Sequence, residues 1–285
     1  MGALPSRAAW FRYRAGAGIR LGAYDPSRRA FLDLGARSVA DLLAEGGLRA
    51  GHLAELMALG EPMPEPARYE VPVVPSKILC MAKNYEAHAR EFGAAPPPEP
   101  VFFAKLPDSL LPHGQPVRIP EHLDSRVDHE AELGVVLGFP DPERRGAKPS
   151  SEDEALSLVA GYTCLNDVTA RTLQGRDREA KLPWLRSKSF DTFCPTGPFV
   201  VPADALDASD LAITMTVNGE IRQSGSTSAM VHGIGAILVR MAACTTLRPG
   251  DLIATGTPAG VGPIRSGDIM TVAIEGIGAL SNPVQ

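Results

Sequence analysis

Four cysteines in 285 residues, at positions 80, 164, 194 and 244, are too few and too scattered for a disulfide framework. No two of them form a Cys-x-x-Cys pair, so a zinc or dithiol site of that kind is excluded. Long apolar runs are missing as well; none approaches the ~20 residues that span a bilayer, and no membrane association is expected. The opening "MGALPSRAAWFRYRAG" has early arginines but no continuous apolar stretch, so no secretory signal is expected. A clustered Lys/Arg stripe is also absent, and the net charge is −5, which argues against nucleic acid as a partner. Familiar catalytic motifs are equally scarce. "GTPAGVG" lacks the Gly-Lys-Ser/Thr of a phosphate loop, "GIGAIL" lacks the third glycine of a dinucleotide fold, and neither a Gly-x-Ser-x-Gly elbow nor a His-Glu-x-x-His helix occurs. What remains is a reduced, cytoplasmic protein of enzyme size, 44% apolar and 21% charged, with ample length for a core.

Prolines and glycines, 26 and 28 of them, punctuate the chain into short segments. "WFRYR", "GIRLGAYD" and "RRAFLDLG" read as strands. "SVADLLAEGG" and "AGHLAELMALG" read as helices, with Ser38 as a start signal and Gly46 as a stop. Five prolines between Pro62 and Pro75 then predict an extended linker. Residues 1–70 are therefore expected to form a small N-terminal α+β domain and residues 71–285 the main one. That second part reads as many short strands: "KILCMA", "VFFAK", "PVRIP", "EAELGVVLG", "AGYTCLND", "GPFVV", "LAITMTVNGEIRQ" and "IMTVAIEGIG". Asn218-Gly219 suits a type I′ hairpin turn, and a helix is predicted over 228–243. The expected class is α+β and β-rich, not a doubly wound sheet.

Within "VDHEAELGVVLG", Glu130 and Glu132 lie two apart, on one side of a strand that otherwise wants burial. Such a pair is either a solvated face or half of a site for a hard divalent cation, which relieves the repulsion between neighbouring carboxylates. Asp167 ends a second apolar strand in "GYTCLNDVTARTLQ", where it could be a third oxygen ligand or only a turn or helix cap. In "NYEAHAREFGAAPPPEP", His88 and Glu91 share a face if the segment is helical. They form a polar surface there, or a proton-transfer dyad on a flap bounded by Gly93 and Pro96–Pro98.

Taken in order, "KILCMAKNYEAHARE", "PVFFAKLPDSL", "VDHEAELGVVLG", "GYTCLNDVTARTLQ", "KSFDTFCPTGPFVV", "VNGEIRQSGSTSAM" and "LRPGDLIATGTPAGVGP" resemble the successive blocks of the fumarylacetoacetate hydrolase family. The resemblance runs from about Lys77 to Pro283. It implies a mixed β-roll core, a homodimer, and Mg²⁺ or Mn²⁺ (Ca²⁺ as a substitute) held by Glu130, Glu132 and Asp167. His88 and Glu91 match the lid dyad of acylpyruvase-like members. Lys188 matches a catalytic lysine, and Gln174, Thr257 and Arg171 match substrate-contacting positions. The implied reaction is hydrolysis of a C–C bond in a β-diketo acid such as an acylpyruvate, with the dyad activating water and the leaving fragment stabilised as an enolate at the cation. The alternative is isomerisation or decarboxylation of 2-oxo or 2-hydroxy-dienedioic acids, oxaloacetate included; a non-catalytic, metal-stabilised binding protein is the remaining possibility. Lys83 and His232 depart from the family pattern, and His129 has no role that the sequence assigns.

Overall fold

Short alternating segments separated by turn residues give a chain built on pairing between distant strands. The structure, a computed structural model, describes residues 3–285 except 92, 94, 140–145 and 147. It is a β-rich α+β fold dominated by one large mixed sheet. Along that sheet run the strands Glu61–Met63, Ala30–Gly35, Gly18–Asp25, Ala9–Ala15, Cys194–Pro202, Val159–Asn166, Ala131–Leu137, Leu252–Ala254, Ile78–Met81 and Phe102–Lys105. Most neighbours are antiparallel, but Leu252–Ala254 runs parallel to Ile78–Met81. A four-stranded antiparallel sheet (Glu220–Ser226, Ala212–Val217, Ile269–Ile274, Gly278–Pro283) and a small three-stranded one (Thr169–Ala170, Val127–His129, Gly262–Pro263) complete the framework.

The N-terminal strands continue the main sheet: Trp10 lies opposite Val200 and Phe11 opposite Phe199. Phe11 meets Phe199 edge-on at 5.7 Å and Tyr69 at 5.5 Å, so an aromatic cluster seals this seam. Close backbone approach also restricts the central strands. A side chain at Gly161 would place its Cβ 2.4 Å from the Val201 carbonyl oxygen, which only glycine avoids. Among the described residues no helix is long and apolar enough to cross a membrane.

Several sequence expectations hold locally. Ser38 caps the helix Val39–Ala44 by accepting from Asp41 N–H, and Asn218 and Gly219 both take positive φ in the predicted hairpin. Others need correction. The proline-rich stretch contributes Glu61–Met63 and Tyr69–Glu70 to the main sheet, because edge strands tolerate a missing N–H. "PVRIP" makes only an isolated bridge from Val117 to Val284, its ends being blocked by Pro116 and Pro120. The predicted helix over 228–243 begins at Ile234 and ends at Cys244. Upstream, the Asn84 side chain takes both the N–H and the C=O of His232, removing them from any helical ladder. The helix Arg171–Glu179 escaped prediction because it carries no apolar stripe for periodicity to reveal.

His113 offers a pH-dependent test of this framework. Its Nδ1 accepts the Ser281 N–H at 3.1 Å, which requires the neutral ring, and burial holds its pKa below the usual histidine value. The unfolded ring takes a proton near pH 6.5 while the folded one does not, so this stability is fully present above that pH and is lost as pH falls. Thermal melts between pH 8 and pH 5 are expected to show a smaller acid-induced drop for His113→Asn than for the unaltered chain; identical slopes would count against it.

Candidate active site

The strand Ala131–Leu137 is buried along its whole length because it is paired on both edges, with Val159–Asn166 on one side and Leu252–Ala254 on the other. Ala131 lies opposite Asn166 and Glu132 opposite Leu165, so Asp167 follows directly at the mouth of the ladder. Two bonds staple the carboxylate-bearing ends together: Asp167 N–H donates to Glu130 O, and Glu130 N–H to Asn166 Oδ1, each at 2.9 Å. Carboxylate oxygens of Glu130, Glu132 and Asp167 thereby come within 4.8 Å of one another, and all three residues are buried. The sequence-predicted triad is brought together in space.

Charge is unevenly balanced across it. Lys188 Nζ donates to Glu130 Oε2 at 2.8 Å and to Asp167 Oδ2 at 2.6 Å. Lys105 Nζ, wholly buried, donates to Asp167 Oδ1 at 2.6 Å and to the Val168 carbonyl. Arg171 Nη2 pairs with Glu130 Oε1. Burial pushes the Glu130 carboxyl up, yet Lys188 and then Arg171 outweigh it and hold the group far below the usual carboxylate range. Lys188 is likewise driven upward despite burial, by Asp167 and Glu130. Glu132 is different. It accepts the Gly256 N–H at 2.7 Å, and burial, then Asp167, then Glu130 raise it well above the ordinary value. Beside it lies Tyr85, whose buried hydroxyl has no partner among the described residues and is raised by burial and by Glu132. An all-oxygen donor set with one uncompensated carboxylate fits a hard divalent cation, which would neutralise what the lysines leave over.

The second expected element is also in place. The short helix Glu86–Glu91 puts His88 Nδ1 3.1 Å from Glu91 Oε2. Glu91 Oε1 accepts the Gly260 N–H at 2.7 Å, which anchors the dyad to the loop after Leu252–Ala254. Gly260 must be glycine: φ is +100°, and a Cβ would lie 2.3 Å from the Arg222 carbonyl oxygen. Two further ties hold the segment down, Asn84 Nδ2 to Thr255 O at 2.9 Å and a 3.0 Å contact between His232 Nε2 and Pro97 O. His232 thus serves as a latch before the helix, where the sequence predicted a helical position.

The expected substrate contacts divide into two kinds. Gln174 receives Arg171 Nη1 on its Oε1 at 2.7 Å, and its amide NH₂ is the donor it can offer a ligand. Arg171 and Thr257 are instead bound up with protein groups. Arg171 Nε donates to Asp128 Oδ2 at 2.8 Å, in addition to Glu130 and Gln174. The Thr257 hydroxyl donates to Ala131 O at 2.8 Å and accepts from Gln223 Nε2 at 2.7 Å, so its single proton is already placed. Gln223 Oε1 also meets the Ala131 N–H and His129 Nδ1, each at 3.0 Å, which gives His129 a part in clamping the triad-bearing strand.

Lys105, Asp128, Asn84 and Gln223 escaped sequence reasoning. Asp128 left a signal: it alternates with Glu130 and Glu132 in "DHEAE", and it grips Arg126 at 2.6 and 2.7 Å as well as Arg171. For Gln223, on a strand with an exposed start, no local signal exists.

These groups surround a cavity of about 210 Å³ lined by Glu130, Glu132, His88, Lys188, Gln174 and Thr257, with Met81, Phe103 and Trp184 as its apolar wall. Phe103 and Trp184 meet edge-on at 5.6 Å, and Lys188 Nζ lies 5.0 Å from the Phe103 ring centre. Lys83 and Arg178 reach the same cavity. Lys83 has φ +56°, a left-handed backbone that disfavours any residue but glycine by ~1 kcal/mol or more.

With the geometry established, comparison with known proteins identifies the lineage. Residues 77–285 match the family described as fumarylacetoacetate (FAA) hydrolase, C-terminal. Oxaloacetate tautomerase YcgM of Escherichia coli is 39% identical over 202 residues, covering 70% of this chain and 89% of that protein. Fumarylacetoacetate hydrolase from Exiguobacterium antarcticum superposes with a TM-score of 0.83 at 33% identity, over 98% of this chain and 99% of that one. Fumarylpyruvate hydrolase from Pseudomonas aeruginosa, solved with Mn²⁺ and pyruvate, gives a TM-score of 0.68 at 33% identity over 78% and 93%. The buried carboxylate triad and its dyad are thus set in a known lineage: the chain belongs to the fumarylacetoacetate hydrolase family.

Proposed function

We propose that the protein is a divalent-cation-dependent enzyme that moves a proton at the carbon next to the keto group of a small 2-oxo acid, as a tautomerase or isomerase. The observation that carries this reading is the meeting of His88 with Glu130 and Glu132 of the triad in one cavity, with His88 Nδ1 fixed by Glu91. A bound Mg²⁺ or Mn²⁺ would polarise the 2-oxo carboxylate as a Lewis acid. Glu130, Glu132 and Asp167 would hold it. Glu91 keeps the His88 proton on Nδ1, so Nε2 is the base that takes a proton from C3 and returns it. Lys188 uses two of its three N–H groups on Glu130 and Asp167, which leaves one for a substrate oxygen; Gln174 NH₂ supplies another. The cavity lies below the ~300–1,000 Å³ of typical ligand pockets, which favours a small acid undergoing proton transfer over a long β-diketo acid accompanied by an attacking water. Similarity to oxaloacetate tautomerase YcgM supports the same reading.

Hydrolysis of a C–C bond is the second reading, favoured by the intact dyad, which could deprotonate water equally well. Product analysis separates the two. With Mg²⁺, loss of the enol absorbance of oxaloacetate is expected to accelerate at least ~100-fold over buffer, the lower range of one positioned acid–base group. Acetylpyruvate should yield little acetate. Rapid acetate release with no effect on the oxaloacetate enol would reverse the order of the readings, and equal rates in EDTA would remove the cation from both.

A further inference from the structure

Arg49, Tyr162, Thr227 and the start of the helix Ile234–Cys244 surround a second cavity, which shares no lining residue with the triad cavity. At about 520 Å³ it falls within the ~300–1,000 Å³ of typical ligand pockets. Tyr162 is only 6% exposed and its ring packs into the core, yet its hydroxyl lies at the cavity with no hydrogen-bond partner among the described residues. Burial pushes that hydroxyl up to about 12, with Asp207 adding to the rise and Arg49 opposing it, so near neutral pH it is a donor. Thr227, 4% exposed, accepts the Leu211 N–H at 2.8 Å, and its own proton has no acceptor among the described residues. The helix start adds backbone donors. Gly233 stands at the cap position without a capping side chain, which leaves the N–H groups of Ile234 and Gly235 without an acceptor among the described residues. Gly235 is held to glycine by Glu152, whose Cβ would lie 2.6 Å from an added Cβ. A bare helix start of this kind favours an anion.

The mouth of the cavity has the opposite sign. Glu152, Asp204 and Asp207 are exposed there; Asp204 accepts the Ala50 N–H and Asp207 the Ser209 N–H, both at 2.9 Å, and each keeps acceptor capacity for a cation. A dianion such as phosphate is repelled by these acids, whereas a molecule with an ammonium beside its carboxylate satisfies both ends. Leu156, Leu206 and Met230 supply apolar wall. We infer that this cavity binds an α-amino acid with a large apolar side chain, its carboxylate on Tyr162, Thr227 and the helix start and its ammonium on the acidic rim.

Melting curves and calorimetric titration of the full chain test this, with L-leucine, L-methionine and L-phenylalanine as probes. Binding to the folded state alone raises the melting temperature progressively with ligand concentration. 4-Methylpentanoate lacks the ammonium of leucine and 3-methylbutylamine lacks its carboxylate; each is expected to bind about tenfold more weakly or worse, the usual loss of a hydrogen bond to a charged group. Tyr162→Phe should weaken leucine by about the same factor. Gly233→Asp should abolish binding, because aspartate is a preferred cap and brings its own carboxylate to the helix start. Its fold is expected to survive and to melt no lower than the unaltered chain without ligand, since φ is −68° and an added Cβ meets nothing within 4 Å. No saturable rise with any of the three amino acids, binding preserved in Gly233→Asp, or 4-methylpentanoate bound as tightly as leucine would each overturn the inference. Binding rather than turnover is read throughout, so these outcomes leave the reaction proposed for the triad untouched.

Discussion

Glu132→Ala is expected to lower turnover by roughly a thousandfold or more at any Mg²⁺ concentration, since Lewis-acid polarisation contributes several kcal/mol to such reactions. The loss should come without damage to the fold. Glu132 accepts the Gly256 N–H, while burial, Asp167 and Glu130 disfavour its charged form. Removing an uncompensated buried carboxylate relieves repulsion from Asp167 and Glu130, so the EDTA-treated variant is expected to melt no lower than EDTA-treated wild type. The contrast appears on adding cation. Saturation at a hundredfold excess over Kd stabilises a native state by ~2.7 kcal/mol, which should raise the wild-type melting temperature and leave Glu132→Ala unmoved. Lys105→Met makes the opposite control. It strips a fully buried partner from Asp167 and should destabilise the chain by ~3–5 kcal/mol, the usual consequence of breaking a buried pair from one side. Calorimetric titration together with melting curves decides the matter, and Glu132→Ala with normal turnover would remove the triad from the mechanism.

His88→Ala should reduce kcat by ~10²–10⁴, the range for one positioned acid–base group, while cation affinity and the cation-induced rise in melting temperature stay at wild-type levels. The separation is possible because His88 sits on the helix Glu86–Glu91, outside the strands that carry the triad. Glu91→Gln should be milder, about tenfold. Glutamine can still accept the Gly260 N–H that anchors the segment, but it no longer supplies a negative charge to stabilise the protonated His88 ring. A His88→Ala enzyme with full kcat would transfer the proton-carrying role to another group, whereas simultaneous loss of cation binding would make His88 part of the cation site.

The parts of this site that could be read from sequence are those with chemistry concentrated in a short span. Glu130 and Glu132 announce themselves by alternation, His88 and Glu91 by helical spacing, and Asp167 by polarity at the end of an apolar run. The groups that hold these side chains in place come from distant parts of the chain and leave no such mark. Lys105 sits at the end of an ordinary-looking "FFAK" strand, and only its pairing with Ile78–Met81 brings it to Asp167. Gln223 reaches Thr257, Ala131 and His129 from a hairpin that local reasoning could place but not aim. Arg171 and Thr257 were expected at the substrate and do lie at the cavity, yet their donors are engaged by Asp128, Glu130, Gln174 and Ala131. Residue type and position were legible there, whereas the direction of each proton was not. In the fold, turn chemistry at Asn218-Gly219 and Ser38 was local and therefore readable. The start of the helix at Ile234 depends on Asn84, far away in the chain, and was not.

The pairing of Leu252–Ala254 with Ile78–Met81 has a consequence for how the molecule comes into being. Closure of that pair joins the two ends of the catalytic segment, and the Gly256 and Gly260 N–H groups that fix Glu132 and Glu91 arrive only with it. During synthesis, the stretch carrying the carboxylates therefore emerges long before the strand that buries it. Parallel pairings of such distant segments form late and slowly, because loop closure must precede any gain from contact. A nascent chain halted before residue 252 exposes an unpaired edge on Ala131–Leu137 and presents its acids without their backbone donors. The groups that would hold a cation are thus fully assembled only late in folding, and a truncated product is a candidate for aggregation rather than for partial activity.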